Sequence, residues 1–126
     1  MGDRPTLVPV FTDVARVVRA SALPDSELDL DALDPAQVVD GAPEVRSLSL
    51  HDGDGLAVGI WQHSAGVSTD VEADEIFVVL QGSATIEVVD GPTLEVGPGD
   101  VGLLPAGART TWTVHETLRK IYVVRP

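Results

Sequence analysis

The side chains best suited to chemistry include two adjacent acids, Asp74 and Glu75, at the start of the apolar run of residues 76–80. Carboxylates next to a segment that must be buried cost free energy unless something compensates their charge. Such a pair fits a metal site, an acid–base site or the solvent-facing end of a strand. If Glu75 points into an apolar interior, its neutral form is favoured and it becomes a usable general acid or base. An ion pair with Lys120 or Arg109 would instead favour its ionised form.

Strand alternation predicts which side chains accompany Glu75. Phe77 falls on the same face of its strand, while Lys120 and Tyr122 share one face of the last strand. We therefore predict Glu75, Lys120 and Tyr122 as the acid–base group. The predicted ligand-contacting residues are Trp61, His63, Phe77, Thr110 and Trp112. An interior with several aromatic rings and few polar groups suits a small, partly apolar ligand, although each ring also fits ordinary core packing.

These residues belong to short, β-branched runs that are separated by turns rich in Gly and Pro. From about residue 44 the runs are EVRSLSL, LAVGIWQ, EIFVVLQ, SATIEVVD, TLEV, DVGLLP, TTWTVH and KIYVV. The segments HDGDG and VDGP between them are typical of hairpin turns. Seven or eight such strands predict an all-β, antiparallel sandwich or barrel over residues 44–126.

Residues 1–43 differ from the rest because they include an acidic, Pro-containing stretch without periodicity. We predict that they form an N-terminal arm that packs on the barrel or on a partner subunit. Within the arm, TDVARVVRAS (residues 12–21) fits either a short helix capped by Thr12 or Asp13, or an edge strand.

Composition excludes several classes of protein. The chain has 126 residues, 44% of them hydrophobic, which suits one domain with a single core. It contains no cysteine, so disulfides, thiolate metal sites and a cysteine nucleophile are excluded. No apolar segment approaches the roughly 20 residues of a membrane span, and the net charge of −12 opposes binding to nucleic acid or anionic lipid. We expect a cytoplasmic protein.

Four segments follow one another with the spacing seen in cupins: VGIWQHSAG, ADEIFVVLQGSATI, VGPGDVGLLPAGARTTW and HETLRKIYV. They resemble the small single-domain cupins of unknown function that are related to ureidoglycine aminohydrolase and to the ethanolamine-utilisation cupin. The resemblance covers roughly residues 33–125, with LDPAQVVDGAPEVRSL as the lead-in. It implies a single-domain jelly-roll β-barrel, in agreement with the number of strands counted above.

Cupins typically hold a metal through two motifs, and the first is Gly, five residues, His-x-His, three or four residues, Glu, six residues, Gly. Glu75 and Gly82 match its end. The two histidine positions fall on Thr69 and Val71 with the shorter spacer, or on Ser68 and Asp70 with the longer one. Neither choice supplies a histidine, so the resemblance keeps the glutamate of this motif and lacks its imidazoles.

The second motif also keeps its framework and lacks its ligands. Gly99, Pro105 and Gly107 match, but the histidine position is Thr110 and the asparagine position is Val114. Because a metal site needs about three N or O ligands, we predict a cupin with no metal and no cofactor. The alternative is a divalent metal held by Glu75, Asp70 and His63.

Three functions stay open at this point. The first is a metal-independent cupin that binds a small molecule in the barrel, as a lyase, isomerase or cyclase that uses Glu75 as acid or base. The second is a metal-dependent enzyme like ureidoglycine aminohydrolase with atypical ligands. The third is a non-catalytic accessory or sensor domain, which predicts a salt-bridged Glu75 and a barrel filled by side chains. An exposed edge strand and the acidic arm predict a homodimer, since sheet edges need covering.

Overall fold

The structure is a computed structural model and describes residues 14–126. These residues form nine strands: β1 Asp29–Asp31, β2 Val38–Asp40, β3 Val45–Gly53, β4 Leu56–His63, β5 Gly66–Val71, β6 Asp74–Val88, β7 Thr93–Val96, β8 Val101–Leu104 and β9 Arg109–Arg125. Two single-turn 3-10 helices, Asp25–Glu27 and Pro35–Gln37, precede β1 and β2. The prediction of an all-β fold is confirmed. In the described part of the chain, no helix is long and apolar enough to cross a membrane.

Two long strands connect the halves of the barrel. On one side, β9 pairs antiparallel with β4 through residues 118–124 and with β5 through residues 109–114. On its other side it pairs with β6, whose far edge pairs with β8 and then with β7. Each long strand thus belongs to both halves of a curled sheet. Buried residues of both halves meet in one core, which is the arrangement of a jelly roll.

The bend in β6 depends on a glycine. The register of β6 against β9 shifts between Val79 and Ala84, and Gly82 lies inside this segment with a φ of 86°. A Cβ atom at this position would collide with the backbone of Thr117 on β9. Only glycine combines a positive φ with so close a backbone approach. The runs EIFVVLQ and SATIEVVD are therefore one bent strand rather than two.

One strand of the cavity was not predicted. The segment of β5, GVSTDV, was absent from the predicted runs because it contains Gly, Ser, Thr and Asp in place of a continuous β-branched stretch. It nevertheless pairs with β9 on one side and with β2 on the other. Polar residues are accommodated here because this strand borders a cavity and not the close-packed core.

The described part of the arm lies on the barrel, where β1 pairs with β3 and β2 pairs with β5. The helix or edge strand predicted for residues 12–21 is wrong over residues 14–21, which form neither. The two proposed caps, Thr12 and Asp13, lie outside the described residues. The local reason is tertiary: the Arg119 side chain of β9 donates to the carbonyl oxygens of Ala20 and Leu23. These carbonyls are therefore satisfied without regular secondary structure.

Candidate functional site

A cavity of about 360 Å³ is lined by residues of β4, β5, β6 and β9, together with residues of the arm. Six of the eight predicted site residues line it: Trp61, His63, Glu75, Trp112, Lys120 and Tyr122. The other two, Phe77 and Thr110, are buried next to lining residues. The predicted residues therefore lie in or next to one cavity, on the strand faces that the alternation of side chains indicated.

The centre of the site is an ion pair between Glu75 and Lys120. Their Oε2 and Nζ atoms are 2.7 Å apart, and the side chains are 8% and 6% exposed. The same Nζ atom lies 4.5 to 4.6 Å from the ring centroids of Trp61, Phe77 and Trp112. Three aromatic faces and one carboxylate therefore surround the Lys120 ammonium group, and each of them attracts a positive charge. The sequence left two environments open for Glu75, an apolar interior or an ion pair with Lys120 or Arg109. The structure shows the ion pair with Lys120.

Sequence reasoning missed a buried carboxyl group, Glu72. Its Oε2 atom accepts hydrogen bonds from the hydroxyl of Thr110 at 2.9 Å and from the indole Nε1 of Trp112 at 3.2 Å. Burial raises the pKa of Glu72 and the charge of Asp70 adds to that rise, while the two hydrogen bonds and the charge of Lys120 oppose it. Glu72 follows β5 directly, so alternation continued from Ser68 and Asp70 would have found it.

Thr110 has a supporting role instead of a direct contact with the cavity. It occupies the histidine position of the second cupin motif, and its hydroxyl group donates to Glu72. The indole of Trp112 also donates to the same hydroxyl oxygen, at 3.2 Å. Thr110 and Trp112 therefore fix the orientation of the Glu72 carboxyl group at the edge of the cavity.

His63 forms a short hydrogen-bonded array with two serines. Its Nδ1 atom lies 2.6 Å from the carbonyl oxygen of Ser64, and its Nε2 atom lies 2.8 Å from the hydroxyl of Ser68. The pKa of His63 is lowered, mainly by burial. The hydrogen bond to Ser64 raises this pKa, and the positive charge of Lys120 lowers it. Burial and the nearby ammonium both favour the neutral imidazole.

Tyr122 packs over Gly59, its neighbour on β4, where any Cβ atom would collide with the phenol ring. Burial raises the pKa of Tyr122, and the negative charges of Asp31, Asp52 and Glu75 raise it as well. The phenol is therefore held as a neutral group beside the ion pair, able to donate a hydrogen bond into the cavity.

The residues present do not fit a metal ion of the cupin type. Among residues 14–126, no group of three or more His, Asp or Glu side chains is arranged to hold one. Asp70, His63 and Glu75 line the same cavity, but Nε2 of His63 is bonded to Ser68, and Glu75 is bonded to an ammonium group. A divalent ion would have to displace both partners and would be repelled by Lys120.

Comparison with known proteins identifies related domains. The family described as EutQ-like cupin domain matches residues 50–122. The EutQ protein of Clostridium difficile superimposes with a TM-score of 0.61 at 21% identity, over 76% of this chain and 81% of that one. A protein of Salmonella typhimurium LT2 assigned as ethanolamine utilization protein Q gives 0.57 at 26% identity, over 68% and 71%. No curated protein matches the chain.

A third structure extends the similarity of fold. A protein of unknown function from Pseudomonas syringae pv. tomato, of the DUF861 family, superimposes with a TM-score of 0.68 at 24% identity. The match covers 77% of this chain and 43% of that one. At this identity the likeness concerns the fold alone.

Proposed function

The chain belongs to the EutQ-like cupin domain family, and on that premise we propose that it binds a small organic molecule in its barrel cavity without a metal ion. The observation that carries the proposal is the 2.7 Å contact between Lys120 Nζ and Glu75 Oε2. Glu75 is the one residue that aligns with a ligand position of the cupin motifs and keeps the ligand's residue type. Its charge is balanced by an ammonium group of the chain itself.

The cavity supports binding because it is open to a ligand and chemically mixed. Its volume of about 360 Å³ lies in the range of small-molecule sites. Trp61, Trp112 and Tyr122 supply flat apolar surface, while the Glu75–Lys120 pair and Glu72 supply polar groups that can orient a ligand. The ligand class that fits is a small, partly apolar molecule with at least one polar group.

Acid–base turnover of the lyase, isomerase or cyclase type is the enzymatic form of this proposal. A ligand group that inserts between Lys120 and Glu75 would meet a proton donor on one side and a proton acceptor on the other. Tyr122 would hold the ligand through its neutral hydroxyl. Such a pre-formed pair needs no metal to place opposite charges at a reacting centre.

A non-catalytic sensor or accessory domain is the second candidate, because it predicts the salt-bridged Glu75 that the structure shows. It also predicts a barrel filled by side chains, whereas a cavity of about 360 Å³ is present. The Glu75→Gln variant distinguishes the two candidates. An enzyme would lose turnover and keep its affinity for the ligand, whereas a sensor would show only a change in its affinity for the ligand.

The proposal is tested by metal analysis and ligand-observed NMR on the untagged protein. We expect no stoichiometric metal in the wild type or in Glu75→Ala, and ligand binding that persists after treatment with a chelator. Filling the cavity with Ala73→Trp should abolish binding, whereas the matched variant Ala106→Trp, at an exposed turn, should retain it. Near-stoichiometric metal that disappears in Glu75→Ala would overturn the proposal, as would ligand binding that survives Ala73→Trp.

A further inference from the structure

We propose that Ser68 is a nucleophile activated by His63, and that the cavity hydrolyses a small ester or thioester through an acyl-enzyme. The observation behind the proposal is the linear order Ser68 hydroxyl, His63 imidazole, Ser64 carbonyl, with both Ser68 and His63 lining the cavity. This is the arrangement of nucleophile, base and orienting group that covalent catalysis requires. The activity depends on the proposed function in one respect, since the acyl compound must enter the same cavity.

The tautomer of His63 follows from its partners. A carbonyl oxygen can only accept a hydrogen bond, so the Nδ1 atom that lies 2.6 Å from Ser64 O carries the hydrogen. In the neutral ring, Nε2 then bears a lone pair and accepts the hydrogen of the Ser68 hydroxyl at 2.8 Å. The hydroxyl is thus aligned to give its proton to the imidazole as a nucleophile must.

The surroundings favour this role for His63. Burial and the charge of Lys120 keep the imidazole neutral, which is the state in which it can take a proton. The Ser64 carbonyl fixes the ring and stabilises the imidazolium once it forms. Lys120 also places positive charge in the cavity, where it favours the negative charge that develops on an attacked carbonyl oxygen.

A second contact between a hydroxyl and a histidine in the chain has the opposite polarity. The hydroxyl of Thr85 donates to Glu95 Oε2 at 2.8 Å, so its 2.8 Å contact with His115 requires the imidazole to donate. That histidine cannot act as a base toward Thr85. The contact between Thr85 and His115 therefore serves as an internal comparison: its hydroxyl-to-imidazole distance equals that between Ser68 and His63, but the hydroxyl is not activated.

The chemical steps balance with water as the only co-reactant. The Ser68 oxygen forms a bond to the acyl carbon, and its proton moves to Nε2 of His63. The alcohol or thiol leaves as its bond to the acyl carbon breaks and takes that proton. Water then attacks the acyl-serine and gives a proton to His63, which returns it to Ser68 as the carboxylic acid departs.

Activation of Ser68 can be tested by treating the native protein with a small dialkyl fluorophosphate, which modifies activated serines. Mass spectrometry of the peptides then locates the adduct. We expect one adduct, on Ser68, that is lost in Ser68→Ala and kept in Ser49→Ala, which removes an exposed serine of β3. His63→Gln should slow labelling by about 100-fold or more, the usual contribution of a general base. Labelling at another serine, or none, would overturn the proposal.

Because the chain has no cysteine, Ser68→Cys supplies a single thiol and a second test. We expect its alkylation by iodoacetamide at pH 6 to be at least tenfold faster than that of Ser49→Cys, since an adjacent imidazole stabilises the thiolate. The advantage should disappear in Ser68→Cys/His63→Gln. Equal rates would refute activation by His63. Neither test involves the unidentified ligand, so their failure is distinct from failure of the proposed binding.

Discussion

At the residue scale, the two adjacent acids that attract attention in the sequence have different partners. Asp74 lies at the surface, where it pairs with Arg125 at 2.8 Å and accepts a hydrogen bond from the backbone of Ala106. These contacts, the Arg125 hydrogen bond first, lower the pKa of Asp74. Glu75 turns inward to Lys120. The pair is therefore more than the solvent-facing end of a strand, since Asp74 forms its contacts at the surface and Glu75 forms its ion pair in the interior.

Glu72 makes stability depend on pH in a direction that can be tested. Its pKa is raised, mainly by burial, so the folded state binds this proton more tightly than the unfolded state. Its contribution to stability is fully present below about pH 4.3 and is lost as the pH rises through the folded-state pKa. Glu72→Gln should therefore be more stable than the wild type at neutral pH, because its neutral amide can still accept the two hydrogen bonds and carries no charge that must be buried.

Urea denaturation at a series of pH values measures this difference. The advantage of Glu72→Gln should shrink toward zero as the pH falls below about 4.3, where the wild-type carboxyl is protonated in both states. Glu87→Gln, at an exposed position, should show no comparable trend. A Glu72→Gln variant that is equally or less stable at neutral pH would contradict the assignment of Glu72 as a group that resists ionisation.

At the element scale, β9 performs two tasks with adjacent residues. Lys120 points into the cavity, while Arg119 points to the opposite face and is 2% exposed beneath the arm. Its guanidinium group donates to Ala20 O, Leu23 O and Gln62 Oε1 at 2.7 to 2.9 Å. One residue of a 17-residue strand thus fixes the arm on one side while its neighbour builds the site on the other.

Removing the Arg119 side chain should release the arm before it unfolds the barrel. Arg119→Met leaves two backbone carbonyls of the arm without their donors, and each lost hydrogen bond of a charged group costs about 1.5–3 kcal/mol. We expect residues 20–25 to lose hydrogen-exchange protection, while β6 and β9 keep theirs.

Arg125→Met is the matched control, because the ion pair that Arg125 forms with Asp74 is exposed. Such pairs contribute about 0–1 kcal/mol, so the exchange of residues 20–25 should stay unchanged. Equal protection of the arm in both variants would show that Arg119 does not anchor it.

At the scale of the whole molecule, one sheet surface is apolar where a monomer would usually be polar. Strand β8 pairs with β6 alone within the described residues, and its Leu103 is 67% exposed and its Val101 57% exposed. Ile76 on β6 and Val123 on β9 extend the same outer face at 50% and 38% exposure. Sheet edges with exposed apolar residues usually need a cover.

We expect a second copy of the chain to supply that cover, as the edge-strand argument from the sequence proposed. Analytical ultracentrifugation should give a dimer for the wild type. Leu103→Lys should shift it toward the monomer, because a buried ammonium at a subunit contact would have no partner. Val89→Lys, equally apolar but in the turn before β7, should leave the mass unchanged. A monomeric wild type would refute this interface.

The sequence by itself determined the all-β class, the positions of most strands and which side chains share a face on β4, β6 and β9, the strands that carry the predicted site. These properties are local: β-branched runs, turn residues and an alternation of two set them within a few positions of the chain. Glu75, Phe77, Lys120 and Tyr122 could be grouped on that basis. The missing imidazoles of the metal motifs could also be read directly, because they are a matter of residue type and spacing.

Only the tertiary structure decided what these side chains do to one another. Lys120 meets Glu75 from 45 positions away, and Thr110 and Trp112 meet Glu72 from 38 and 40 positions away. Strand β5, with Ser68, was invisible to a search for apolar runs because its residues border a cavity. Charge state, tautomer and hydrogen-bond direction depend on burial and on partners brought close by β9, and neither burial nor distance in space is encoded in any short stretch of the chain.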